Sequence, residues 1–373
     1  MQNKLPSYIS QLGLYNFKNH QNLEMKIDGK FVLILGENGS GKTNILEALS
    51  LLNASKGIKN SKNSEIITNF NKQNAQWAIK VNYSNQSLDY NVLVGCKFKH
   101  INANGSKLIK VNNEELTKKT DILNLLKIVW LTPQMENLFL ESPSTRRKFL
   151  DRMTYNFFSN HAEYILQYEY FTQSRAKVLS DIEWDNKWLE QIEMNIAELS
   201  LKIIDNRLEC IKIINSFLKS LTISYLKPTI STHGEIEEQL KINNPTKVYE
   251  YILENLRKKR NTDSKSKRCG IGSHKSDLLV MDGEKDRVAG LCSTGEQKSM
   301  IISMILGQSY AIYDKSKIAP ILLLDEIFAH LDDKRKENLI FELEKTPSQI
   351  WISSTNTDLD KMVKTNCAKF ILT

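Results

Sequence analysis

The sequence predicts an α/β fold: a mostly parallel sheet, a side β-sheet and an inserted antiparallel helical hairpin. Three observations carry this. Short apolar runs at 31–35, 128–131, 321–324 and 350–352 alternate with helical patterns, as the buried strands of a parallel sheet do. Residues 77–112 read as short strands separated by turn signals at Ser84-Asn85 and Asn104-Gly105, which would form the side sheet. From 144 to 227 neither Gly nor Pro occurs, and apolar residues recur at steps of three and four.

A chain of 373 residues, 41% hydrophobic, is long enough for two or three structural units. The expected division is 1–142 with the phosphate loop, 143–265 as a helical arm, and 266–373 completing the head. A formal charge of +8 favours a polyanionic partner such as nucleic acid, although Lys is abundant throughout and part of the charge is compositional. Cys96, Cys210, Cys269, Cys292 and Cys367 are scattered without a C-x-x-C pair, which argues against a disulfide framework or a zinc site. The N-terminus lacks an apolar signal core and no run approaches a membrane span, so a cytoplasmic protein is expected.

Taken in order, residues 8–18 and 23–27 read as paired strands, and Asp28-Gly29 turns the chain into the strand at 31–35. Gly36-Glu37-Asn38-Gly39-Ser40-Gly41-Lys42-Thr43 follows, then a helix at 44–52. Strand, glycine-rich loop and helix form the setting that the phosphate-binding pattern G-x-x-x-x-G-K-[ST] requires. The glycines let backbone N–H groups turn inward around an anion, and the helix N-terminus adds partial positive charge. Lys42 is placed to reach the β- and γ-phosphates of a nucleotide, and the Thr43 hydroxyl to serve a Mg²⁺ ion. A polar segment from about 53 to 76 reads as a loop. Residues 122–127 look helical, and the strand at 128–131 ends at Thr132-Pro133-Gln134.

From Pro143 the pattern is helical. Leu150, Met153, Phe157, Tyr164, Phe171 and Val178 share one seam, with polar gaps at Asn160, Gln167 and Ser174. After a break near 180–186, Leu189, Ile192, Ile196, Leu199, Ile203, Asn206, Cys210, Ile213 and Phe217 step alternately by three and four, a coiled-coil seam with one polar interruption. Two helices of about 30 residues would make a protruding hairpin roughly 45 Å long at 1.5 Å per residue; a globular helical bundle is the other arrangement open to the same residues. A strand at 221–231 and helices at 236–242 and 247–256 are expected next. Of the twelve residues from Arg257 to Arg268, seven are basic and one is acidic, which suits either a DNA backbone or a solvated loop.

Residues 278–281 with Asp282-Gly283 read as a hairpin. Ser293-Thr294-Gly295-Glu296-Gln297 opens a long helix, with Ser293 as its cap. Pro320 precedes a buried strand that ends in Asp325-Glu326, then Ala329-His330-Leu331-Asp332 and a charged helix. The carboxylate strand is expected beside the phosphate-loop strand. There Asp325 would hold Mg²⁺ through water, and Glu326 would orient and polarise a water attacking the γ-phosphate. The closing strand ends in Ser354, Thr355 and Asn356, without a histidine to sense that phosphate.

A phosphate loop, a serine–glycine signature, an Asp-Glu strand end and an Ala-His-Leu-Asp turn, in that order, resemble the ABC-type ATPase head. More specific motifs resemble the RecF family: Leu14 to Asn19; Thr132-Pro133 onward through Ser142-Pro143 and Arg146-Arg147-Lys148-Phe149-Leu150-Asp151; and Gly272-Ser273-His274-Lys275-Ser276-Asp277-Leu278. Departures are Ser273 in place of a proline and Glu326 in place of a second aspartate. Gln134 resembles the glutamine with which other ABC heads sense Mg²⁺ and the attacking water. The resemblance implies ATP and Mg²⁺ as cofactors, and two copies closing over two nucleotides, with Ser293 and Gly295 acting on the partner's ATP and Asp332 bridging. It implies a homodimer with slow turnover, binding to gapped, single- or double-stranded DNA, recombination mediator proteins as partners, and no membrane partner. Arg146, Arg147, Lys148, Arg257, Lys258, Lys259 and Arg260 are the candidate DNA contacts. Transporter subunits, long-armed chromosome ATPases and head-plus-nuclease proteins share the head, but this short arm lacks a C-x-x-C hook and little chain follows the last strand.

Overall fold

The computed structural model describes residues 5–53, 57–68, 76–86, 88–98, 105–181, 185–222, 225–329, 331–356, 358–363 and 365–372. The chain forms two compact units: residues 1–136 with 220–225 and 301–373, and residues 137–219 with 226–300.

The first unit opens with β1 (Ser7–Phe17) and β2 (His20–Lys26), paired antiparallel. β3 (Phe31–Gly36) leads through the phosphate loop into α1 (Lys42–Ser50), and α2 (Asn63–Ile66) is a single turn in the polar segment. β4 (Gln76–Asn85), β5 (Leu88–Lys97), β6 (Ser106–Val111) and β7 (Glu114–Glu115) complete the side sheet, in the order β2-β1-β4-β5-β6-β7. The helix expected at 122–127 is a 3-10 turn, Lys119–Asn124, before β8 (Ile128–Leu131).

The second unit begins with α3 (Pro143–Tyr155), whose proline occupies the first turn, where no N–H is needed. α4 (His161–Val178) and α5 (Asn186–Ser220) follow. Asn206 meets His161 and Glu193 meets Arg175, so α4 and α5 run antiparallel, as the two seams require. The hairpin does not stand free. Ile192, Ile196, Leu199, Ile203 and Ile204 of α5 share a core with Ile236, Val248, Ile252 and Leu256. Those partners lie on α6 (Glu235–Ile242) and α7 (Pro245–Lys258), beyond β9 (Pro228–His233). Ile204, Ile211 and Ile214 are buried beside the seam, so the apolar stripe of α5 is wider than a two-helix contact uses, and at Ile204 the surplus joins the core shared with α6 and α7. The first helix also breaks, because α3 closes at Asn156 before α4 starts.

α8 (Arg260–Ser266), β10 (Asp277–Asp282) and β11 (Arg287–Val288) finish the run. β10 lies between β9 and β11, and residues 266–300 belong with the helices rather than with the parallel-sheet unit. The expected boundary at 265 and 266 thus misses a pairing between distant segments. The expected strand at 221–231 is also shifted, since β9 starts at Pro228; residues 223–224 lie outside the described ones.

Buried cations hold this unit together. Arg207 donates to both carboxylate oxygens of Asp151 at 2.7 and 2.9 Å and to the Ser273 carbonyl at 2.7 Å. His161 Nε2 donates to Asp151 Oδ1 at 2.9 Å. Arg175 donates to Glu193, Asp263 and the Leu256 carbonyl, and Arg260 also reaches Glu193 at 2.6 Å. Burial alone would raise the Asp151 carboxyl; Arg207 and the His161 hydrogen bond outweigh it and hold it below the usual range.

The chain returns to the first unit along α9 (Thr294–Ser316), followed by β12 (Ile321–Asp325), α10 (Asp333–Lys345), β13 (Ile350–Ser354), α11 (Leu359–Met362) and β14 (Cys367–Leu372). The second sheet has the order β14-β3-β13-β12-β8 and is parallel throughout. β12 therefore does not adjoin β3, as expected from the sequence; β13 lies between them. Buried Gln349 ties the unit's two sheets. Its Oε1 accepts from Ile9 N–H at 2.9 Å and Trp351 Nε1 at 3.1 Å, and its Nε2 donates to the carbonyls of Ile9 and Gly29 at 3.0 and 3.1 Å.

Two outcomes follow for stability. Arg207→Met leaves Asp151 buried without its cation and costs about 3–5 kcal/mol, read as a lowered urea midpoint. Burial holds the His161 imidazole below its usual 6.5 and outweighs the opposing pull of Asp151. A depressed folded pKa stabilises above the unfolded value and fades as pH falls through the folded one. The urea midpoint therefore drops below about pH 6.5 through His161, and again below about 3.8 through Asp151. His161→Gln removes the upper step; an unchanged upper step would exclude His161 as its source.

Candidate nucleotide site

The phosphate loop sits at the C-terminal ends of parallel strands, where open α/β sheets place their ligands. Gly39 and Gly41 take φ of 89° and 99°, a region a side chain resists. A Cβ on Gly41 would also run into the Asn19 side chain. Asn19 Nδ2 donates to the Ser40 carbonyl at 3.2 Å, and Asn19 Oδ1 accepts from Asn44 Nδ2 at 2.8 Å. The turn between β1 and β2 thus buttresses the loop, which gives the Leu14-to-Asn19 motif a physical purpose that the sequence alone leaves unstated.

Lys42 Nζ donates to the carbonyls of Gly36 and Glu37, both at 2.8 Å, and lies 3.6 Å from Glu326 Oε1. Thr43 Oγ1 donates to Asp325 Oδ1 at 2.9 Å. Ser353 Oγ donates to the same oxygen at 2.6 Å and accepts from the Glu326 N–H at 3.1 Å. Glu326 stands at φ 47°, strained backbone of the kind found at active sites. Ser40 Oγ is closed off from solvent with no hydrogen-bond partner among the described residues, as suits a hydroxyl lining a polar ligand's cradle. Gln134 is exposed in the 3-10 turn after β8, the strand next to β12. Thr43 and Asp325 form an oxygen-only pair, which fits a hard divalent cation such as Mg²⁺. Of these residues Ser353 has no role that the sequence alone points to. Its one signal is a hydroxyl at the end of the closing strand.

In the second unit, Ser293 and Glu296 form a reciprocal cap: the Ser293 N–H donates to Glu296 Oε2 at 2.8 Å and the Glu296 N–H to Ser293 Oγ at 3.3 Å. A hydrogen bond from Lys285 and the Ser293 N–H hold the Glu296 carboxyl down to about 2. Ser293, Thr294 and Gly295 are exposed. Asp332 caps α10, accepting from the Arg335 N–H at 2.9 Å; its neighbour His330 lies outside the described residues. His274 is committed internally: its Nε2 donates to the Cys269 carbonyl, so its Nδ1 accepts from the Tyr168 hydroxyl.

The basic candidates divide. Arg146 makes a paired contact with Asp277, Arg147 donates to the Ser276 carbonyl, and Arg260 is held by Glu193. Lys259 is half-buried, 3.9 Å from Glu235. Lys148, Arg257 and Lys258 are exposed, although Arg257 and Lys258 also lie near Glu190 and Glu254.

A phosphate loop with its hydroxyl on a strand-end aspartate, a glutamate beside it and a serine-capped signature helix define an ATPase head of the ABC type. The RecF/RecN/SMC N-terminal domain family model matches residues 8–370. The DNA replication and repair protein RecF of Rickettsia typhi is 38% identical over 354 residues, 94% of this chain and 95% of that protein. The RecF of Rickettsia prowazekii is likewise 38% identical over 94% of this chain and 95% of its own. A solved structure of the recombination mediator protein RecF-ATPrS in the RecFOR pathway superposes with a TM-score of 0.85 at 24% identity, covering 98% of each chain; that likeness bears on the fold. The chain belongs to the RecF family.

If the loop holds a triphosphate as its geometry suggests, Lys42→Ala removes the one cation among the described residues that lies against both the loop carbonyls and Glu326. Binding of a fluorescent ATP analogue should then weaken by at least about 100-fold, in line with the loss of charge-assisted phosphate contacts. Retained binding would remove the loop from the nucleotide site.

Proposed function

We propose that this chain is an ATP-dependent DNA-binding protein of recombinational repair and replication-fork maintenance, with ATP as a dimerisation switch and slow hydrolysis. The observation that carries the proposal is the join between Thr43 and Asp325, 2.9 Å across, in a chain 38% identical to named DNA replication and repair proteins. Lys42 and the loop N–H groups receive the β- and γ-phosphates. Thr43 and Asp325 would hold Mg²⁺, which neutralises charge on the phosphates when bound. Glu326 orients the attacking water and accepts its proton, with Gln134 as a second water-positioning group.

On this proposal the γ-phosphate side of the site is completed only by a second copy. In the proposed dimer a second copy covers it with the N-terminus of its signature helix, through Ser293 and Gly295, while Asp332 bridges the contact. The exposure of that helix start supports this, as does Leu291 beside it, 75% exposed. DNA, gapped or duplex, is engaged through phosphates by Lys148, Arg257 and Lys258, with recombination mediator proteins as further partners. Among the described residues no helix is long and apolar enough to cross a membrane, and a cytoplasmic location is part of the proposal.

Glu326→Gln keeps the shape of the site and removes the base, so with ATP and DNA it should sediment as a stable dimer while the wild type cycles. A monomer under those conditions would sink the switch. The affinity of wild type for duplex should fall steeply between about 50 and 200 mM salt. Arg257→Ala with Lys258→Ala should flatten that slope; an unaltered slope would put the DNA elsewhere.

A further inference from the structure

We infer that Ser353 is a positioning residue that sets both strand-end carboxylates through one hydroxyl; the inference rests on the ATPase reading above. Ser353 is fully buried on β13, the strand between the phosphate-loop strand and the carboxylate strand. Its backbone pairs in register with Asp325. Its single proton goes to Asp325 Oδ1 at 2.6 Å, and its lone pair accepts from the Glu326 N–H at 3.1 Å. The Glu326 N–H also points at the Ser353 carbonyl, 3.2 Å away.

Each bond has a consequence. Asp325 Oδ1 takes the Ser353 proton and the Thr43 proton, whereas among the described residues Oδ2 has a 3.3 Å approach from Thr43. The carboxylate is therefore locked in rotation with one oxygen less engaged, as an orienting hydrogen bond to a metal-holding carboxylate requires. Glu326 occupies left-handed backbone at φ 47°, a conformation that persists only where surrounding bonds impose it. The Ser353 hydroxyl and carbonyl are what its N–H meets. One side chain thus fixes the direction of the metal-holding oxygen and the backbone from which the base projects. Buried, with its hydroxyl engaged by Asp325 and by the Glu326 N–H, it acts through those two residues.

The test compares wild type with Ser353→Ala and Ser353→Thr. Three quantities are read: ATP turnover, the Mg²⁺ concentration that half-saturates binding of a fluorescent ATP analogue, and binding of that analogue in EDTA. For Ser353→Ala the expected result is a kcat lowered about 10- to 100-fold and a half-saturating Mg²⁺ raised by a similar factor, the range for loss of an orienting partner. KM and binding in EDTA should stay within about twofold, and Ser353→Thr, which retains the hydroxyl, should recover most of the loss. Wild-type kcat and Mg²⁺ dependence in Ser353→Ala would overturn the inference. An equal loss of binding in EDTA would also overturn it, because the role would then be structural. If Ser353→Ala does not fold, Ser353→Cys, close in shape and weak as a donor, is read by the same criteria. Absence of hydrolysis by wild type would strike the ATPase reading instead, and the Mg²⁺ dependence of binding would still decide the role of Ser353.

Discussion

The chemistry of this chain depends on the insertion of β13 between β3 and β12. A loop that binds phosphate and a carboxylate that handles the cation need a fixed separation. Adjacent parallel strands lie about 4.8 Å apart, so one intervening strand sets the two groups roughly twice that distance apart at the backbone. Side chains then close the gap: Thr43 reaches across to Asp325, and Ser353 rises between them. The order of strands thereby does what no single motif could. It turns three sequence segments, separated by 282 and 28 residues, into one hydrogen-bonded row.

The parallel sheet is rigid enough to keep that row because β3, β13, β12 and β8 are buried on both faces and tied from behind. Gln349, four hydrogen bonds deep in the core, couples the side sheet to the start of β13. An amide buried in this way is costly unless all its valences are met. Here they are met by backbone of β1 and of the turn before β3 and by the Trp351 indole of β13, so the register of one sheet constrains the other. The helical unit solves a different problem with the same currency. Its long helix buries Arg207 and its neighbour buries Arg175, and each is answered by acids brought from distant segments. Such pairs contribute little net stability compared with apolar residues, yet losing one partner is severe.

Much of the head could be read from the residues, and the reasons are physical. The phosphate loop declares itself because positive φ demands glycine and an anion demands lysine at fixed spacing. The side sheet and the parallel strands show in short apolar runs. The relations between segments were not visible in the same way. Periodicity reports that α5 has an apolar face but not what covers it, so α6 and α7 appear as separate short helices until their side chains meet Ile196 and Ile203. Strand order is a property of pairing between distant segments, which is why the sequence points to β12 beside β3 whereas the fold puts β13 between them. Ser353 stayed unread because serine is a common residue and its work appears only with Asp325 2.6 Å away.

Charge shows the same limit more sharply. The run from Arg257 to Arg268 and the triplet at Arg146 look alike in sequence, as dense positive charge. In the fold, Arg146 and Arg260 are paired with Asp277 and Glu193, and an arginine held bidentately by a carboxylate has its charge answered and two of its five N–H donors committed before any phosphate arrives. Net charge of +8 therefore overstates the surface offered to a polyanion. If DNA binds as proposed, what remains for it are cations that project into water, and such contacts act through counterion release rather than through shape. A protein that grips DNA in this sequence-independent way needs its selectivity from elsewhere. On the reading proposed above, that source is the nucleotide site: a head that pairs with a second copy only while ATP is held adds the two copies' weak phosphate contacts into one avid grip, and hydrolysis ends it.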